Sequence, residues 1–313
     1  MYDKINNLKN CINNVILGKE QEVNEAIAVI IAGGNLLLED IPGVGKTTLA
    51  MAFAKALDLD FKRVQFTPDV LPSDLTGFNM YRKDTNEFEF QQGSLFCNLL
   101  LADEINRTSP KTQSALLEAM EEHQVSVDGN TYYLPNPFIV IATQNPFGEA
   151  GTQLLPDTQL DRFMICMSLG YPDIKSEIEM AKTVSSYGRT HNIKPVMTKL
   201  DLIVFQQAVN DVFMRDELCE YAVKLVRATR EHSMIQRGSS TRGVISLIKM
   251  AKSVAIMNGR DYVIPLDVST QFKYVIKHRI VLNSNARLNN KTKDDIIEQI
   301  INDVKAPLPR GMK

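Results

Sequence analysis

From Glu20 to Ala32 the apolar residues Val23, Ala26, Ile27 and Ile30 recur at the three-to-four spacing of a helix with one buried face. Gly33-Gly34 ends that pattern, and Asn35-Leu36-Leu37-Leu38 follows as a short strand apolar on both faces. Helical spacing resumes from Lys46 to about Leu57, and further strands are predicted at Phe61–Phe66, Asn98–Leu101 and Phe138–Thr143. Strands alternating with helices predict an α/β fold, a parallel sheet covered on both sides. Two stretches read as hairpins instead. One runs from Phe78 to Phe90 with a turn near Asp84-Thr85-Asn86, the other from Val125 to Leu134 with a turn at Asp128-Gly129-Asn130. After Tyr171-Pro172 strand and glycine signals become rare and helical spacing dominates, as in Leu218, Tyr221, Ala222 and Leu225. The expected division is residues 1–171 as an α/β core and 172–313 as a smaller all-helical domain.

Composition narrows the class. The 313 residues are 44% hydrophobic and 23% charged, ordinary for a globular chain. Lys+Arg 35 against Asp+Glu 37 gives a net charge of -2, which argues against nucleic acid or an anionic membrane as partner. Cys11, Cys97, Cys166 and Cys219 have no metal-binding spacing and suit a reducing compartment. The start, MYDKINNLKNCINN, is too polar for a signal peptide, and Ala26–Leu38 is short and broken by Gly33, Gly34 and Asn35. A cytoplasmic location is expected. His123, His191, His232 and His278 are dispersed and read as surface or packing residues.

The candidate chemistry starts at EDIPGVGKTT, Glu39 to Thr48. A phosphate loop has a glycine, four free positions and Gly-Lys-Ser/Thr; here Asp40 stands where the first glycine belongs. Asp tolerates unusual backbone angles better than most residues, so the departure weakens the match without abolishing it. Gly43 and Gly45 would let backbone N–H groups close around an anion at a helix N-terminus. Lys46 would reach the outer phosphates, and the Thr47 hydroxyl would ligate Mg2+. Pro42, Val44 and Thr48 complete the cradle. Alone, such a loop is also compatible with a glycine-rich turn feeding a helix.

Further strands end in polar residues. LLLADE, Leu99 to Glu104, closes on paired carboxylates: Asp103 is assigned to the metal and Glu104 to the attacking water. By itself an Asp-Glu pair after a strand is usually a helix start; behind a phosphate loop it is far more specific. IVIATQNP ends with Asn145, which could hydrogen-bond the γ-phosphate or the water, or simply form a turn before Pro146. LPDTQLDRF places Arg162 near the end of the core, as a surface ion pair or, in a ring-forming ATPase, as a group reaching the neighbour's γ-phosphate. In GSSTRGVISLIKMA, Arg242 falls in the first turn of a helix capped by Ser240 or Thr241. A cation there opposes the helix dipole unless a phosphate faces both.

Seven stretches in order, VILGKEQEV, LLLEDIPGVGKTTLA, VQFTPDVLPSDLTG, LLADEINRTSPKTQSALLEAMEE, IATQNP, LPDTQLDRF and NGRDYVIPLDV, resemble the MoxR group of AAA+ ATPases over nearly the whole chain. The resemblance implies a phosphate-loop αβα core with a parallel sheet, a helical lid, ATP and Mg2+ as cofactors, and a homo-oligomeric ring, commonly a hexamer. It also implies that Asp before Ile-Pro-Gly is an accepted variant. Lys46, Thr47, Asp103, Glu104 and Asn145 would form the site in cis, Arg162 a trans-acting finger and Arg242 the lid sensor. Val15, Ile16 and Gly18 match the segment lining the adenine. Similar proteins often read Ser-Pro-Arg where this chain has Ser240-Thr241-Arg242, and Asn106 and Arg107 extend the carboxylate motif with at most an interface role.

Three uses of the hydrolysis energy are weighed. The resemblance favours an ATP-driven chaperone or assembly factor that remodels a protein client, often with a von Willebrand factor A domain partner. A chelatase-type motor subunit driving metal insertion is the second reading and a nucleic-acid motor or loader the third; the near-neutral charge counts against the last. Phe88 and Phe90 alternate with Glu87 and Glu89 on one hairpin strand, and read more readily as packing residues than as an aromatic grip on a client.

Overall fold

The computed structural model describes residues 2–146, 154–182 and 193–308. Five short strands form one parallel sheet: β1 (Leu36–Glu39), β2 (Phe61–Gln65), β5 (Leu99–Asp103), β8 (Ile139–Gln144) and β9 (Ile165–Met167), in the order β2-β5-β8-β1-β9. Alternation along the strands splits the core in two. Leu36, Leu38, Leu99, Leu101, Ile139 and Ile141 face one apolar cluster; Leu37, Leu100, Ala102, Val140 and Ala142 face the other. β5 and β8 are buried at every position, as central parallel strands must be.

Helix α2 (Glu20–Ile31) carries Glu20 and Glu22 in its first turn, where the helix dipole favours anions, and buries eight of its residues beneath the sheet's first face. Helix α3 (Lys46–Ala56) lies on the same side, and α5 (Pro110–Glu122) covers the opposite one. Ser109 starts α5 cleanly: its hydroxyl accepts from the Thr112 N–H, and Pro110 takes the first helical position.

Both hairpins form where the alternation places them. β3 (Phe78–Arg82) pairs with β4 (Glu87–Gln91), and β6 (Gln124–Val127) with β7 (Asn130–Tyr133). Asp128 and Gly129 turn the second hairpin with φ of 50° and 82°, a backbone that suits Asp and Gly. The hairpins meet: Phe90 stacks on Tyr132 at 3.8 Å, and Asn79 Nδ2 donates to Asp128 Oδ2. Phe90 is therefore a packing residue, as the sequence favours. Phe88 lies farther out along β4 and is 72% exposed, its ring 5.4 Å from that of Tyr81 across the same hairpin.

Beyond β9 come α7 (Ile174–Lys182), α8 (Lys199–Asp211), α9 (Asp216–Glu231), α10 (Thr241–Met257), α11 (Pro265–Ile276), α12 (Ser284–Leu288) and α13 (Lys293–Asp303). Two short pairings lie among the described residues of this lid: β10 (Ile235–Arg237) runs antiparallel to β11 (Val281–Leu282), and Phe213 makes a parallel bridge with Tyr262. Four lid side chains bond to α2: Ser253 Oγ donates to the Ala28 carbonyl, Gln206 Nε2 to the Ile30 carbonyl and Gln271 Nε2 to Glu25 Oε1, and Tyr274 Oη accepts from Gln21 Nε2. One apolar cluster runs unbroken from α2 into these helices. Among the described residues no helix is long and apolar enough to cross a membrane.

Candidate active site

Parallel strands deliver their C-terminal ends to one edge of the sheet, where open α/β sheets bind ligands. At this edge β1 runs into the glycine loop, β5 ends on Asp103-Glu104, and β8, lying between β1 and β5, ends before Asn145. Gly43 and Gly45 sit at φ of 89° and 95°, and a Cβ on either would meet nothing within 4 Å. Backbone conformation, not crowding, is what requires glycine there. Gly45 is the N-cap of α3 and contributes no side-chain cap, so the first N–H groups of that helix are left for an anion.

Asp40 is not where a turn needs help, for it has no positive φ. That corrects the backbone-tolerance argument for its presence. The side chain is 5% exposed and accepts from Ser168 Oγ, the Leu169 N–H and the Gly170 N–H. It ties the beginning of the phosphate loop to the chain leaving β9. Its carbonyl, with that of Ile41, receives Lys46 Nζ at 2.7 and 3.3 Å. Burial lowers the Lys46 pKa, opposed by the charges of Asp40, Asp103 and Glu104. The lysine thus lies in the field of the carboxylate pair.

The pair itself is held by residues the motif reading missed. Asp103 is 7% exposed; Thr143 Oγ1 donates to its Oδ1 at 2.6 Å and Arg63 Nη2 to its Oδ2 at 2.7 Å. Glu104 has φ 56° and ψ 49°, and its N–H donates to Thr143 Oγ1. Left-handed backbone at a residue other than glycine costs energy, and here it turns the glutamate out of the strand. Glu104 Oε2 accepts from both Gln65 Nε2 and Arg107 Nη1, at 2.9 and 2.8 Å. Arg63 and Gln65 lie on one face at the C-terminal end of β2, with Gln65 in register with Asp103, and their polarity beside the end of β5 was the available signal.

Mg2+ takes hard oxygen donors and keeps several waters, so it is bound by one or two protein oxygens plus phosphate. A hydroxyl at Thr47 and a buried carboxylate at Asp103 fit that demand. Among the described residues no group of three or more His, Cys, Asp or Glu forms a metal cage.

Arg162 and Arg242 meet elsewhere. Both pair with Glu121 near the end of α5: Arg162 Nη1 lies 3.4 Å from Oε2, and Arg242 Nη2 bonds to Oε1. Ser240 is the cap of α10, with its hydroxyl accepting the Arg242 N–H. The charges acting on Lys46 are Asp40, Asp103 and Glu104, whereas the carboxylate acting on the two arginines is Glu121. Val15 and Ile16 are buried in the large apolar cluster, and Gly18, at φ 67°, lies against Ser176 of α7. Asn106 is buried with its Oδ1 unpartnered, while Arg107 reaches Glu104 directly, which an interface role did not foresee. His278 is buried against the Phe163 carbonyl, and His191 lies outside the described residues.

Comparison with known proteins identifies the family. Residues 35–165 match the ATPase family associated with various cellular activities (AAA), and residues 227–300 match the AAA lid domain. YeaC of Bacillus subtilis is 45% identical, across 96% of this chain and 94% of its own. Chaperone MoxR1 of Mycobacterium tuberculosis is 37% identical, across 95% of this chain and 80% of its own. A crystal structure from Cytophaga hutchinsonii superposes with a TM-score of 0.90 at 40% identity, covering 98% of this chain and 96% of that one. A magnesium-chelatase subunit ChlI homologue of Methanocaldococcus jannaschii is more distant, at 28% identity over 66% of this chain. A nucleotide-binding sheet edge, a helical lid and these relatives together place the chain in the MoxR family of AAA+ ATPases.

Proposed function

We propose that the chain hydrolyses ATP as a subunit of a homo-oligomeric ring, a hexamer by family resemblance, and uses the energy to remodel or mature a protein client. The observation that carries the reading is the convergence of Lys46, Asp103 and Glu104 at one sheet edge while Arg162 and Arg242 share a carboxylate elsewhere.

In the proposed cycle the loop N–H groups and the α3 N-terminus receive the phosphates, and Lys46 exchanges its own loop's carbonyls for phosphate oxygens. Thr47 and Asp103 would hold Mg2+, which would supply positive charge against that building on the transferring group. Arg63 and Thr143, the present partners of Asp103, would orient its carboxylate for that role. Gln65 and Arg107 occupy Glu104 Oε2, which leaves Oε1 to accept the proton of the attacking water. Asn145 fixes that water or the γ-phosphate. Arg162 and Arg242 of the next subunit complete the charge compensation. Val15, Ile16 and the Gly18 turn border the adenine through backbone and packing rather than through polar side chains. The exposed Phe88 is offered to the client, and a von Willebrand factor A domain protein is the proposed partner.

Glu104→Gln is the test, since it should bind ATP and hardly turn it over. Recovered from cells in ATP, this variant should hold a protein client. A chelatase-like catalytic subunit in its place would move the reading to metal insertion, and single-stranded DNA would move it to a nucleic-acid motor. Wild-type hydrolysis by Glu104→Gln would overturn the assignment of the base.

A further inference from the structure

Arg279, just beyond the end of α11, has a side chain only 1% exposed. Burying a guanidinium is costly unless its donors are satisfied, and here every nitrogen is used. Nε donates to Asp161 Oδ1 at 2.8 Å. Nη1 donates to the carbonyls of Met164 and Val275, at 3.0 and 2.5 Å. Nη2 reaches the Phe163 carbonyl at 2.6 Å, the Asp161 carbonyl at 3.2 Å and Ser246 Oγ at 3.3 Å. Most of these bonds converge on residues 161–164, the segment that carries Arg162.

The other carboxylate oxygen of Asp161 points to the second arginine. Asp161 Oδ2 accepts from Ser240 Oγ at 2.7 Å, and that same hydroxyl accepts the Arg242 N–H at 3.1 Å. Ser246, also bonded to Arg279, lies one turn beyond Arg242 on α10. Gly243 lets the two pass closely: a Cβ there would lie 3.4 Å from Arg279 Cδ and 2.1 Å from Ser239 Oγ.

We infer that Arg279, acting through Asp161, is a positioning residue that joins Arg162 and Arg242 into one unit aimed at a single phosphate group. The inference rests on the ring reading above. Arg279 is too deeply buried to touch a ligand. A clamp between core and lid does not need it either, because α2 already bonds four lid side chains within a continuous apolar cluster. What Arg279 and Asp161 do together is bond to the backbone segment that carries Arg162 and to the cap of the helix that carries Arg242. Misplacing a reacting group by about 1 Å can cost ~100-fold in rate, so rigidity here is a catalytic matter.

The test uses Arg279→Lys and Asp161→Asn in the full chain. Lysine keeps the charge but cannot make the forked set of bonds, and asparagine keeps the shape of Asp161 without its charge. Both should melt cooperatively and assemble as wild type does. Both should bind ATP with wild-type affinity, their phosphate loops being intact, and lose about 10–100-fold in kcat with little change in KM. Mixed with Glu104→Gln subunits, each should recover part of its activity, because some interfaces then join an intact phosphate loop to an intact arginine corner. If Arg279→Lys does not fold, Asp161→Asn decides alone. Wild-type turnover in both variants, or a KM effect with kcat preserved, would overturn the inference. So would failure to recover activity with Glu104→Gln while Arg162→Ala does recover it. If Arg162→Ala also stays dead in mixtures, the ring reading itself fails, and this inference falls with it.

Discussion

The phosphate-loop edge and the arginine corner are built in different ways. At the edge, each functional group sits at the end of its own strand, so three local motifs meet because parallel strands end together. The corner has no common element. Glu121 comes from α5, Arg162 follows α6 (Asp157–Leu160), Arg242 opens α10, and Arg279 follows α11. Backbone geometry supplies the edge, whereas side-chain pairing supplies the corner. In the first arrangement side chains of β2 and β8, with Arg107, then hold the carboxylates that the strands deliver. The second depends on Asp161 and Glu121, each a single carboxylate with two partners.

Asp40 is the exception within the edge, and replacing it breaks the comparison most directly. Asp40→Gly would restore the usual phosphate-loop pattern. If the aspartate merely stood in for glycine at a turn, that change should be neutral or stabilising. Because Asp40 instead accepts two backbone N–H groups and a hydroxyl, the variant should lose about 2–4 kcal/mol in denaturant melts. A neutral Asp40→Gly would return the edge to a purely backbone device.

A smaller effect is expected at the contact that seats the lid, and with it Arg242, on α2. Burial raises the Glu25 pKa to about 7, against an opposing hydrogen bond from Gln271 and the charge of Lys273. Glu25 Oε2 and Gln271 Oε1 are both buried without partners, so a proton on the carboxyl supplies a donor to this contact. With the folded pKa above the ordinary carboxyl value of 4.5, the folded state binds more protons between those two pH values. The stability is full below pH ~4.5, falls as pH rises to ~7, and is level above; the total is at most ~3 kcal/mol. Melts of wild type and Glu25→Gln across that window should diverge accordingly, and parallel curves would remove the protonated carboxyl.

The same contrast explains what could be read from the sequence. Gly43, Gly45, Lys46, Asp103 and Glu104 are legible because their chemistry depends on a short spacing and on the strand before it. Both hairpins were legible from alternation and turn residues. Thr143, Arg63 and Gln65, which hold the carboxylates, were not, since each lies on another strand and acts only once the sheet register is set. Arg107, by contrast, stands three residues from Glu104 and was read without that role. Asp161 and Arg279 are 118 positions apart, and an arginine after a helix carries no sign that it will be buried. Phe88 and Phe90 share an alternation and still differ, because only Phe90 lies under the second hairpin.

The separation of the two regions has one direct test: steady-state hydrolysis across mixing ratios of Arg162→Ala and Glu104→Gln subunits, after confirming that subunits exchange. Each variant alone should retain ATP binding and be nearly inactive, since loss of such an arginine costs ~1,000-fold or more in rate. In mixtures, some interfaces join the intact Glu104 of one subunit to the intact Arg162 of the next, so activity should return in part and peak at intermediate ratios. Two folded, freely exchanging variants that stay inactive at every ratio would contradict the account, because Arg162 would then serve its own subunit's site or none.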